Sequence, residues 1–515
     1  MSTYQFKEFI SSNGDELLYL GNPDLELLEN LSHGVGDMWH SSFEQGYKNA
    51  FPEIIYQTAV FFWYGMDFDK LDECISWRLN PEHFAIRKNI WKQLNGFDED
   101  YENQDIKAMD FAYNALRNSG AIPMYVKGLY SNEESKTIKI SPKDRYSFFI
   151  KNFRLGQAYY MLMRKGFWNI REWVALRHAK KNYSKRVNSP VINARELKPI
   201  EGTPSVSYII PTMLRQDYTL RLLEDLKNQT YLVHQVVVVD ATPEDQRNES
   251  LYTPENYPFE VIFKWQTSKG SCRARNEAID LCTGDYIVFG DDDIRIRPDF
   301  IENHIRLLQT YKAGACNGLD IMADHVDQTL EDLESKLKSI NPNRLKVGAS
   351  MSFSNANSCV KKIHVDTLVG NDINYDGGYG EDGDFGISLT KIGVPVLHNP
   401  FSVNLHLKPP QGGYRFWGNQ AKLLGKKRKK QPWELDHPVK FIRPVPSPTV
   451  MYQFFKQFTK EQRRAYKHKY FLRYLFKGSS FLILFRIVKM PFRLMQYHKS
   501  EFYAKKLLEL GKRTK

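Results

Sequence analysis

The chain has 515 residues, of which 42% are hydrophobic and 14% aromatic, and its formal net charge is +12. This length exceeds what one hydrophobic core usually serves, so two or three domains are expected. The five cysteines are scattered without a Cys-x-x-Cys pair, which argues against a disulfide framework or a zinc site and fits a reducing compartment.

The N-terminus and the hydropathy pattern argue against membrane insertion. Acidic residues come early in the chain, and no long apolar run follows them, so no signal peptide is predicted. No window offers about 18 uncharged apolar residues, so no transmembrane helix is predicted.

The positive charge is concentrated at the C-terminal end. Residues 451–515 contain 17 Lys and Arg against three Asp and Glu, whereas the first 450 residues sum to −2. A basic tail on a nearly neutral body predicts contact with an anionic surface. No nucleic-acid reading module accompanies the tail, so nucleic acid is not an expected partner.

Three regions follow one another along the chain. Residues 1–190 mix helical patterns with short strands, and residues 191–204 read as a polar linker with prolines. From about 205 to 410, apolar strands alternate with helical patterns, for example the strand Val206 to Thr212 and the helix Tyr218 to Thr230. Continuous Val and Ile runs of this kind predict a mostly parallel α/β sheet covered on both faces.

Polar residues stand at the ends of the predicted strands. Pro211 and Thr212 end one strand, Asp240 ends the next, and Asp291 to Asp293 follow the run "YIVFG". Ligands of parallel sheets bind beyond the carboxyl ends of the strands. A single aspartate there often only caps a turn, but an Asp-x-Asp pair supplies two oxygen ligands for Mg²⁺ or Mn²⁺.

Four segments, in this order and spacing, resemble family 2 inverting glycosyltransferases with the GT-A fold. They are "SYIIPTMLRQDYTLRLLEDLKNQTY", "VVVVDAT", "KGSCRARNEAIDLCTGDYIVFGDDD" and "GGYGEDGDFGISLTKIGVPVLH". The resemblance covers about 205–410 and implies a Rossmann-like GT-A domain. It also implies the transfer of a hexosyl or N-acetylhexosaminyl group from a nucleotide-diphospho-sugar, expected to be a UDP-sugar, with Mn²⁺ or Mg²⁺.

The resemblance also implies roles for the donor-side residues. Pro211 and Thr212 would border the nucleotide and Asp240 would bind the base or ribose, unless Asp240 is an ordinary turn residue. Lys269 and Arg273 stand where the family often places cations facing the nucleotide or diphosphate, although either can be plain surface charge.

The aspartate triplet and a histidine form the expected metal corner. Asp291 resembles the ribose- or metal-side member of the Asp-x-Asp motif, and Asp293 resembles the direct metal ligand. Asp292 is assigned to the donor site without a role of its own. His406 matches a histidine that supplies a further metal ligand in some family members, though a lone histidine is often structural.

The motif "YGEDGDFG" matches the acceptor side of the family. Asp382 would be the general base that takes the proton of the acceptor hydroxyl, and Glu381 would orient the acceptor. Carboxylates at a helix start also act as caps, which is the competing interpretation. Asp384 is expected to support the helix.

The first 190 residues resemble the back half of the same fold. Setting Asp110 against Asp384 places Lys107 and Ala108 where Glu381 and Asp382 stand. The base position is lost on this alignment, so a partial, inactive GT-A-like domain is expected; the alternative is an unrelated α/β cap.

The predicted domains are therefore 1–190 (inactive GT-A-like), 205–435 (catalytic) and 436–515 (basic helical region). The tail is expected to contact an anionic membrane surface; its alternative is a helical cap on the catalytic domain. The acceptor is expected to be a glycan or a lipid-linked molecule in surface polysaccharide or glycoconjugate synthesis. The cytoplasm, with peripheral attachment to the inner face of the membrane, is the expected location. A non-catalytic glycan-binding or scaffold protein that keeps the fold, and retaining transfer, remain open.

Overall fold

Two β-sheets, each with its own helices, organise the chain. The computed structural model describes residues 4–56, 62–131, 135–248, 250, 252–266, 269–414 and 430–515. The first sheet has six strands and the second has nine. The first sheet lies in the N-terminal region and the second in the region predicted to be catalytic.

The first domain contains strands and helices up to residue 182. The strands are β1 (Lys7–Ile10), β2 (Glu16–Tyr19), β3 (Met38–His40), β4 (Glu73–Ile75), β5 (Ala85–Arg87) and β6 (Pro123–Val126). The helices are α1 (Leu25–Ser32), α2 (Lys88–Leu94), α3 (Gln104–Asn114), α4 (Pro142–Asn152), α5 (Leu155–Lys165) and α6 (Ile170–Asn182).

The second domain begins with the predicted strand at residue 206. Its strands are β7 (Val206–Thr212), β8 (Gln235–Asp240), β9 (Glu260–Trp265), β10 (Tyr286–Gly290), β11 (Ile294–Ile296), β12 (Ala315–Met322), β13 (Gly348–Ala349), β14 (Asn357–Lys361) and β15 (Val396–His406). Its helices are α7 (Gln216–Lys227), α8 (Ser271–Ile279), α9 (Phe300–Thr310), α10 (Leu330–Lys338), α11 (Lys362–Leu368) and α12 (Glu381–Lys391).

The second sheet runs in the order β11-β15-β12-β14-β10-β7-β8-β9, with β13 paired to β15. Strands β10, β7, β8 and β9 are parallel neighbours, as their apolar runs predict. Strand β14 is antiparallel to both of its neighbours, so the sheet is mixed. Every residue of β7 and β8 is buried, because helices cover both faces.

The two sheets share one pattern of strand pairing. In the first, β5 is antiparallel to β2 and β3, β3 is parallel to β6, and β4 is antiparallel to β6. In the second, β14 is antiparallel to β10 and β12, β12 is parallel to β15, and β13 is antiparallel to β15. The corresponding strands also follow the same order along the chain. Strands β7, β8 and β9 of the second sheet have no counterpart among the described strands of the first sheet.

A buried aspartate is held in the same way in both domains. The side-chain amide of Asn152, at the end of α4, donates to Asp110 on α3 at 2.7 Å. The side-chain amide of Gln457 donates to Asp384 on α12 at 2.6 Å. These contacts agree with the alignment of Asp110 with Asp384 that the sequence suggested.

The lysines that precede these amides repeat a second contact. Lys151 pairs with Asp98 at 2.8 Å, and Lys456 pairs with Asp372 at 2.7 Å. The lysines lie in similar segments, "YSFFIKNF" (residues 146–153) and "YQFFKQF" (residues 452–458). The correspondence therefore extends from the sheet to the helix that follows it.

The predicted linker is an extended segment that contacts both domains. The guanidinium of Arg195 donates to the carbonyl of Gly34 at 2.7 Å in the first domain. Arg306, on α9 of the second domain, donates to the carbonyl of Lys198 at 3.0 Å. The segment is therefore bonded to both domains.

The C-terminal region is helical and packs largely on the second domain. Its helices are α13 (Pro448–Gln457), α14 (Lys460–Leu475), α15 (Ile483–Val488) and α16 (Met490–Glu509). Tyr452 and Phe454 of α13 and Tyr503 and Leu507 of α16 are buried. The helical cap that was the alternative to membrane contact is therefore present for α13 and α16, whereas α15 stands apart from the body. None of the helices that the structure describes is long and apolar enough to cross a membrane.

Candidate active site

The polar strand ends meet at one edge of the second sheet. Thr212, the last residue of β7, lies in register beside Asp240, the last residue of β8. Strand β10 is the other parallel neighbour of β7, and the aspartate triplet follows its last residue, Gly290. The predicted convergence at the carboxyl ends is present in the structure.

Asp292, the residue without an expected role, points into the protein. The hydroxyl of Thr212 donates to one of its carboxylate oxygens at 2.7 Å, and Arg215 pairs with the other at 3.0 Å. Burial raises the pKa of Asp292 to about 7, against the opposing effect of Arg215. The middle aspartate thus joins the ends of two strands and positions its neighbours.

Arg215 also reaches the third aspartate. Its guanidinium lies 2.8 Å from Asp293, so it bridges two carboxylates of the triplet. The sequence motifs did not point to this arginine. The one feature of the sequence that could have indicated Arg215 is its position, three residues after the end of β7, in the loop that faces the site.

Asp291 is held by a second arginine from α8. The guanidinium of Arg275 donates to Asp291 at 2.6 Å and is itself buried. The family resemblance favoured Arg273 instead. Residues two apart on a helix point to nearly opposite sides, so only one of these arginines can face the triplet. The structure puts Arg275 there.

Arg273 and Lys269 lie further from the triplet. Arg273 pairs with the buried Asp376 at 3.5 Å, and Lys269 is exposed. The carboxylate of Asp376 also accepts the backbone N–H of Cys272 at 2.8 Å, which fixes the first turn of α8. Burial raises the pKa of Asp376 to about 7. Asp376 therefore sets the position of both α8 arginines, a role that no sequence pattern signalled.

Asp293 and His406 form the other side of the corner. His406, the last residue of β15, lies 3.3 Å from Asp293 through Nε2 and 3.3 Å from Asp320 through Nδ1. Although burial opposes it, these two carboxylates raise the pKa of His406 to about 10. Burial would raise the pKa of Asp293, but His406 and Arg215 bring it below its ordinary value.

The expected metal ligands fit a divalent cation. One ligand atom each from Asp291, Asp293 and His406 lies within 4.8 Å of the others. Two carboxylate oxygens and an imidazole nitrogen form a donor set suited to Mn²⁺ or Mg²⁺. A cation at this point would take the place of the imidazole proton, since a histidine ligand must be neutral.

The two acceptor-side carboxylates lie in the first turn of α12. Glu381 is buried and Asp382 is half-buried. The side-chain amide of Asn355 donates to Asp382 at 2.5 Å and sets the direction of its carboxylate. Although burial opposes it, the charges of Asp291, Asp382 and Glu381 raise the pKa of Arg275, so this arginine is within electrostatic reach of both sets of carboxylates.

The segment 207–348 matches the family model described as Glycosyl transferase family 2. We call the second domain, which contains this segment, the family 2 domain. As the resemblance implied, the second domain is an α/β domain, and it is built on one mixed sheet.

The family 2 domain is similar to bacterial glycosyltransferases over part of their length. It is 26% identical over 148 residues to the uncharacterized glycosyltransferase YibD of Escherichia coli, which covers 28% of this chain and 41% of the relative. It is 28% identical over 109 residues to the amylovoran biosynthesis glycosyltransferase AmsB of Erwinia amylovora, with 20% and 36% covered. The chain spans less than half the length of each.

Two solved structures share a distant likeness with the chain. The mannosyltransferase PcManGT from Pyrobaculum calidifontis is 18% identical, covers 62% of this chain and 90% of its own, and has a TM-score of 0.35. Residues 1–349 of TarS from S. aureus are 12% identical, cover 57% and 79%, and have a TM-score of 0.37.

Two further predicted residues of the family 2 domain differ in their surroundings. Pro211 is buried within β7. The carboxylate of Asp240 is fully buried and accepts bonds from the backbone of Thr242 at 2.8 Å and from Tyr252 at 3.1 Å. Burial raises the pKa of Asp240. These contacts account for Asp240 as a strand-end anchor, and its contact with a nucleotide stays a prediction.

The segment after β15 returns to the family 2 site. The hydroxyl of Tyr414 donates to the carbonyl of Thr212 at 3.0 Å, and the N–H of Gly413 donates to the carbonyl of Met213 at 2.7 Å. Gly412 has φ +74°, and a Cβ there would lie 2.6 Å from the carbonyl of Leu214, so only glycine fits. Most of the basic run Lys426 to Lys430, considered as a lid, lies outside the described residues.

Proposed function

We propose that the protein transfers a hexosyl or N-acetylhexosaminyl group from a nucleotide-diphospho-sugar, a UDP-sugar, to a hydroxyl of a glycan or lipid-linked acceptor, with inversion. The observation that carries the proposal is the meeting of Asp291, Asp293 and His406 in a domain that also holds Asp382 at a helix start. Arg275 pairs with Asp291 and is within electrostatic reach of Asp382.

In this proposal the metal corner holds the donor diphosphate. Asp291, Asp293 and His406 would bind Mn²⁺ or Mg²⁺, and the cation would offset the negative charge that develops on the leaving diphosphate. Arg215 and Arg275 keep the carboxylates in place through short ion pairs. Arg215 does this through one nitrogen, Nη1, which donates to both Asp292 and Asp293.

Asp382 acts as general base in the proposed reaction. The acceptor oxygen attacks the anomeric carbon on the side opposite the diphosphate, and its proton passes to a carboxylate oxygen of Asp382. The bond between the anomeric carbon and the phosphate oxygen breaks, and its electron pair leaves with the nucleoside diphosphate. Asn355 holds the base by its amide, and Glu381 orients the acceptor.

The remaining donor-side residues have proposed contacts with the nucleotide. Pro211 and Thr212 border it, and Asp240 binds the base or ribose. Lys269, exposed on the loop before α8, faces the nucleotide or diphosphate. Arg273 is proposed to do the same, although its pairing with Asp376 gives it a structural task already.

Two lines of support bear on the biological setting. The relative AmsB is named for amylovoran biosynthesis, which supports a role in surface polysaccharide or glycoconjugate synthesis. All five cysteines are buried free thiols, which supports a reducing compartment such as the cytoplasm. Contact of the basic tail with the inner face of the membrane is part of the same proposal.

The experiment replaces each key carboxylate by its amide. Asp293→Asn and Asp382→Asn are expected to lower sugar transfer at least a hundredfold while the thermal melt still shows a folded protein. Asp366→Asn is the matched control, since Asp366 lies on α11 in an exposed pair with Lys362. Full turnover by either site variant would remove the assignment.

The donor is identified by binding. A thermal-shift panel of nucleotide sugars with Mn²⁺ is expected to stabilise the protein with one donor more than with the others, because a ligand that binds only the folded state raises its stability. The anomeric configuration of the product then distinguishes inverting from retaining transfer. A glycan-binding protein without activity, the alternative, would show neither donor-dependent stabilisation nor Mn²⁺-dependent hydrolysis of the nucleotide sugar.

The first domain is proposed to be an inactive partial copy of the second. The shared strand pairing supports this. At the position aligned with Glu381, Lys107 is buried and paired with Glu99, so a cation replaces the carboxylate. The Asp293→Asn variant tests this proposal too, since residual transfer at the first domain would survive it.

A further inference from the structure

Residues 476–495 form an apolar arm that the other described residues leave largely uncovered. The arm contains α15, the turn before it and the first residues of α16. The side chains of Phe481, Leu484 and Val488 are 89%, 76% and 78% exposed. Several other large apolar side chains of the arm are also exposed: Phe476, Leu482, Phe485, Ile487, Phe492 and Met495. A contiguous apolar run of this kind marks an interaction surface.

The arm lies in a stretch of chain without negative charge. Between residues 462 and 500 there are ten Lys and Arg and no Asp or Glu. Lys489 lies 4.1 Å from the ring of Phe485, and Arg493 lies 5.0 Å from the ring of Tyr474. Cations therefore stand directly beside the exposed rings.

A cavity opens between the arm and the end of α14. It has a volume of about 500 Å³ and is lined by Tyr474, Val488, Lys489, Phe492, Arg493 and Gln496. Apolar side chains form most of its wall, and an ammonium and a guanidinium lie in it. This combination matches a lipid, because its phosphate binds cations and its acyl chains pack against apolar side chains.

The C-terminal region is anchored to the family 2 domain both before and after the arm. On α13, Lys456 pairs with Asp384 of the family 2 domain. At the C-terminal end, the side-chain amide of Asn276 on α8 donates to the carbonyl of Thr514 at 2.8 Å. The surface available to a partner is thus the arm, and most of the remaining tail belongs to the fold.

We propose that this arm docks the protein on an anionic lipid bilayer. Exposed apolar side chains beside lysines and arginines are the features of an interfacial helix, which buries its apolar side chains at the headgroup boundary. The negative surface potential of the leaflet attracts the cations. The proposal rests on the membrane contact that the proposed function gives the tail and assigns that contact to the arm; vesicle binding can be measured independently of sugar transfer.

Two other occupants of the surface are less compatible with it. A second copy of the chain would bring two acid-free basic surfaces together, and like charges across an interface are unfavourable. Single-stranded nucleic acid binds through base stacking on aromatic rings and through contacts of its phosphates with cations. It would leave Leu484, Ile487 and Val488, which are aliphatic and at least half exposed, without an apolar partner.

The test is co-sedimentation of the full-length protein with vesicles of phosphatidylcholine, with and without phosphatidylglycerol. The wild-type protein is expected to bind only the anionic vesicles, and less so as salt rises. The triple variant Phe481→Ser, Leu484→Ser, Val488→Ser is expected to lose at least about tenfold in binding. Replacing Lys477 and Lys489 by Gln is expected to lower binding about tenfold or more.

A matched control removes exposed apolar side chains elsewhere. Ile363→Ser with Val187→Ser, at positions 65% and 83% exposed, is expected to bind anionic vesicles like the wild type. Thermal melts check that all variants fold. The proposal is overturned if the wild type ignores anionic vesicles or if the triple variant binds them equally well. It is also overturned if light scattering finds a wild-type dimer that the triple variant breaks.

Discussion

Replacing Lys456 by methionine tests whether the C-terminal region is part of the active domain. The ammonium of Lys456 lies 2.7 Å from Asp372 and 2.7 Å from Asp384. Both carboxylates are buried, with side-chain exposures of 0% and 6%. Asp384 lies one turn into α12, the helix whose first residues are Glu381 and Asp382. The substitution therefore perturbs the acceptor side from outside it.

The expected loss is about 3 kcal/mol in the free energy of unfolding. Removing one partner of a buried ion pair usually costs about 3–5 kcal/mol, because a charge stays buried without compensation. Neutral donors remain on both carboxylates, among them Tyr452 at 2.8 Å from Asp372 and Gln457 at 2.6 Å from Asp384, which favours the lower end. Methionine retains the packing of the lysine stem.

The assay is urea unfolding of both proteins followed by sugar transfer. Lys506→Met is the control, because Lys506 and Glu509 form an exposed pair whose loss should cost at most about 0.5 kcal/mol. Transfer by Lys456→Met is expected to fall at least about tenfold as the first turn of α12 shifts. Equal stability and activity of the two variants would refute the structural role.

The pH dependence gives an independent check. Although burial opposes it, Asp384 and Asp372 raise the pKa of Lys456 above its ordinary value of 10.5. A raised pKa in the folded state contributes stability below about pH 10.5, and this contribution is lost as the pH rises through the folded-state value. The difference in the free energy of unfolding between the wild type and Lys456→Met should therefore become smaller only in strongly alkaline solution.

Three further substitutions test single contacts. Thr212→Val removes the hydroxyl that donates to the buried Asp292 and should cost about 1.5–3 kcal/mol in urea unfolding. Gly290→Ala places a Cβ 2.5 Å from the ring atoms Cε1 and Cζ of Tyr208, so about 1–3 kcal/mol should be lost, together with transfer activity, as the strand end moves. Lys469→Met should raise the melting temperature at neutral pH. Its ammonium is enclosed without a hydrogen-bond partner among the described residues, and burial lowers the pKa of Lys469 to about 7. Because the unfolded state then binds more protons between about pH 7 and 10.5, wild-type stability should rise relative to the variant over that range.

For each of these three predictions there is an outcome that would contradict it. Thr212→Ser keeps the hydroxyl, so a loss as large as that of valine would mean that packing matters and not the hydrogen bond. Gly156→Ala, where nothing lies within 4 Å of the added Cβ, should be harmless, and an equal loss at Gly290 and Gly156 would remove the steric argument. A pH-independent effect of Lys469→Met would mean that the lysine is charged when folded.

Local patterns were enough to predict the scaffold of the second domain. The apolar runs at Val206 to Thr212 and Tyr286 to Gly290 predict buried parallel strands because strands covered on both faces have no polar side. The carboxyl ends of parallel strands lie at one edge of the sheet, whatever path the loops between them take. The sequence by itself therefore predicts that Thr212 and the triplet lie together, as they do. The metal corner of Asp291, Asp293 and His406 follows from the same reasoning and from the family resemblance.

The tertiary structure alone decided which charged groups meet. Arg215 and Arg275 pair with the triplet, whereas Arg273 turns to Asp376, because helix rotation and loop path determine direction and neither appears in the spacing of residues. The tail shows the same limit on a larger scale. Its charge predicted an anionic contact for all 65 residues, but burial separates a structural part from the exposed arm at 476–495. Composition records how much charge and apolar surface a segment carries, and only packing determines which of it remains exposed to a partner.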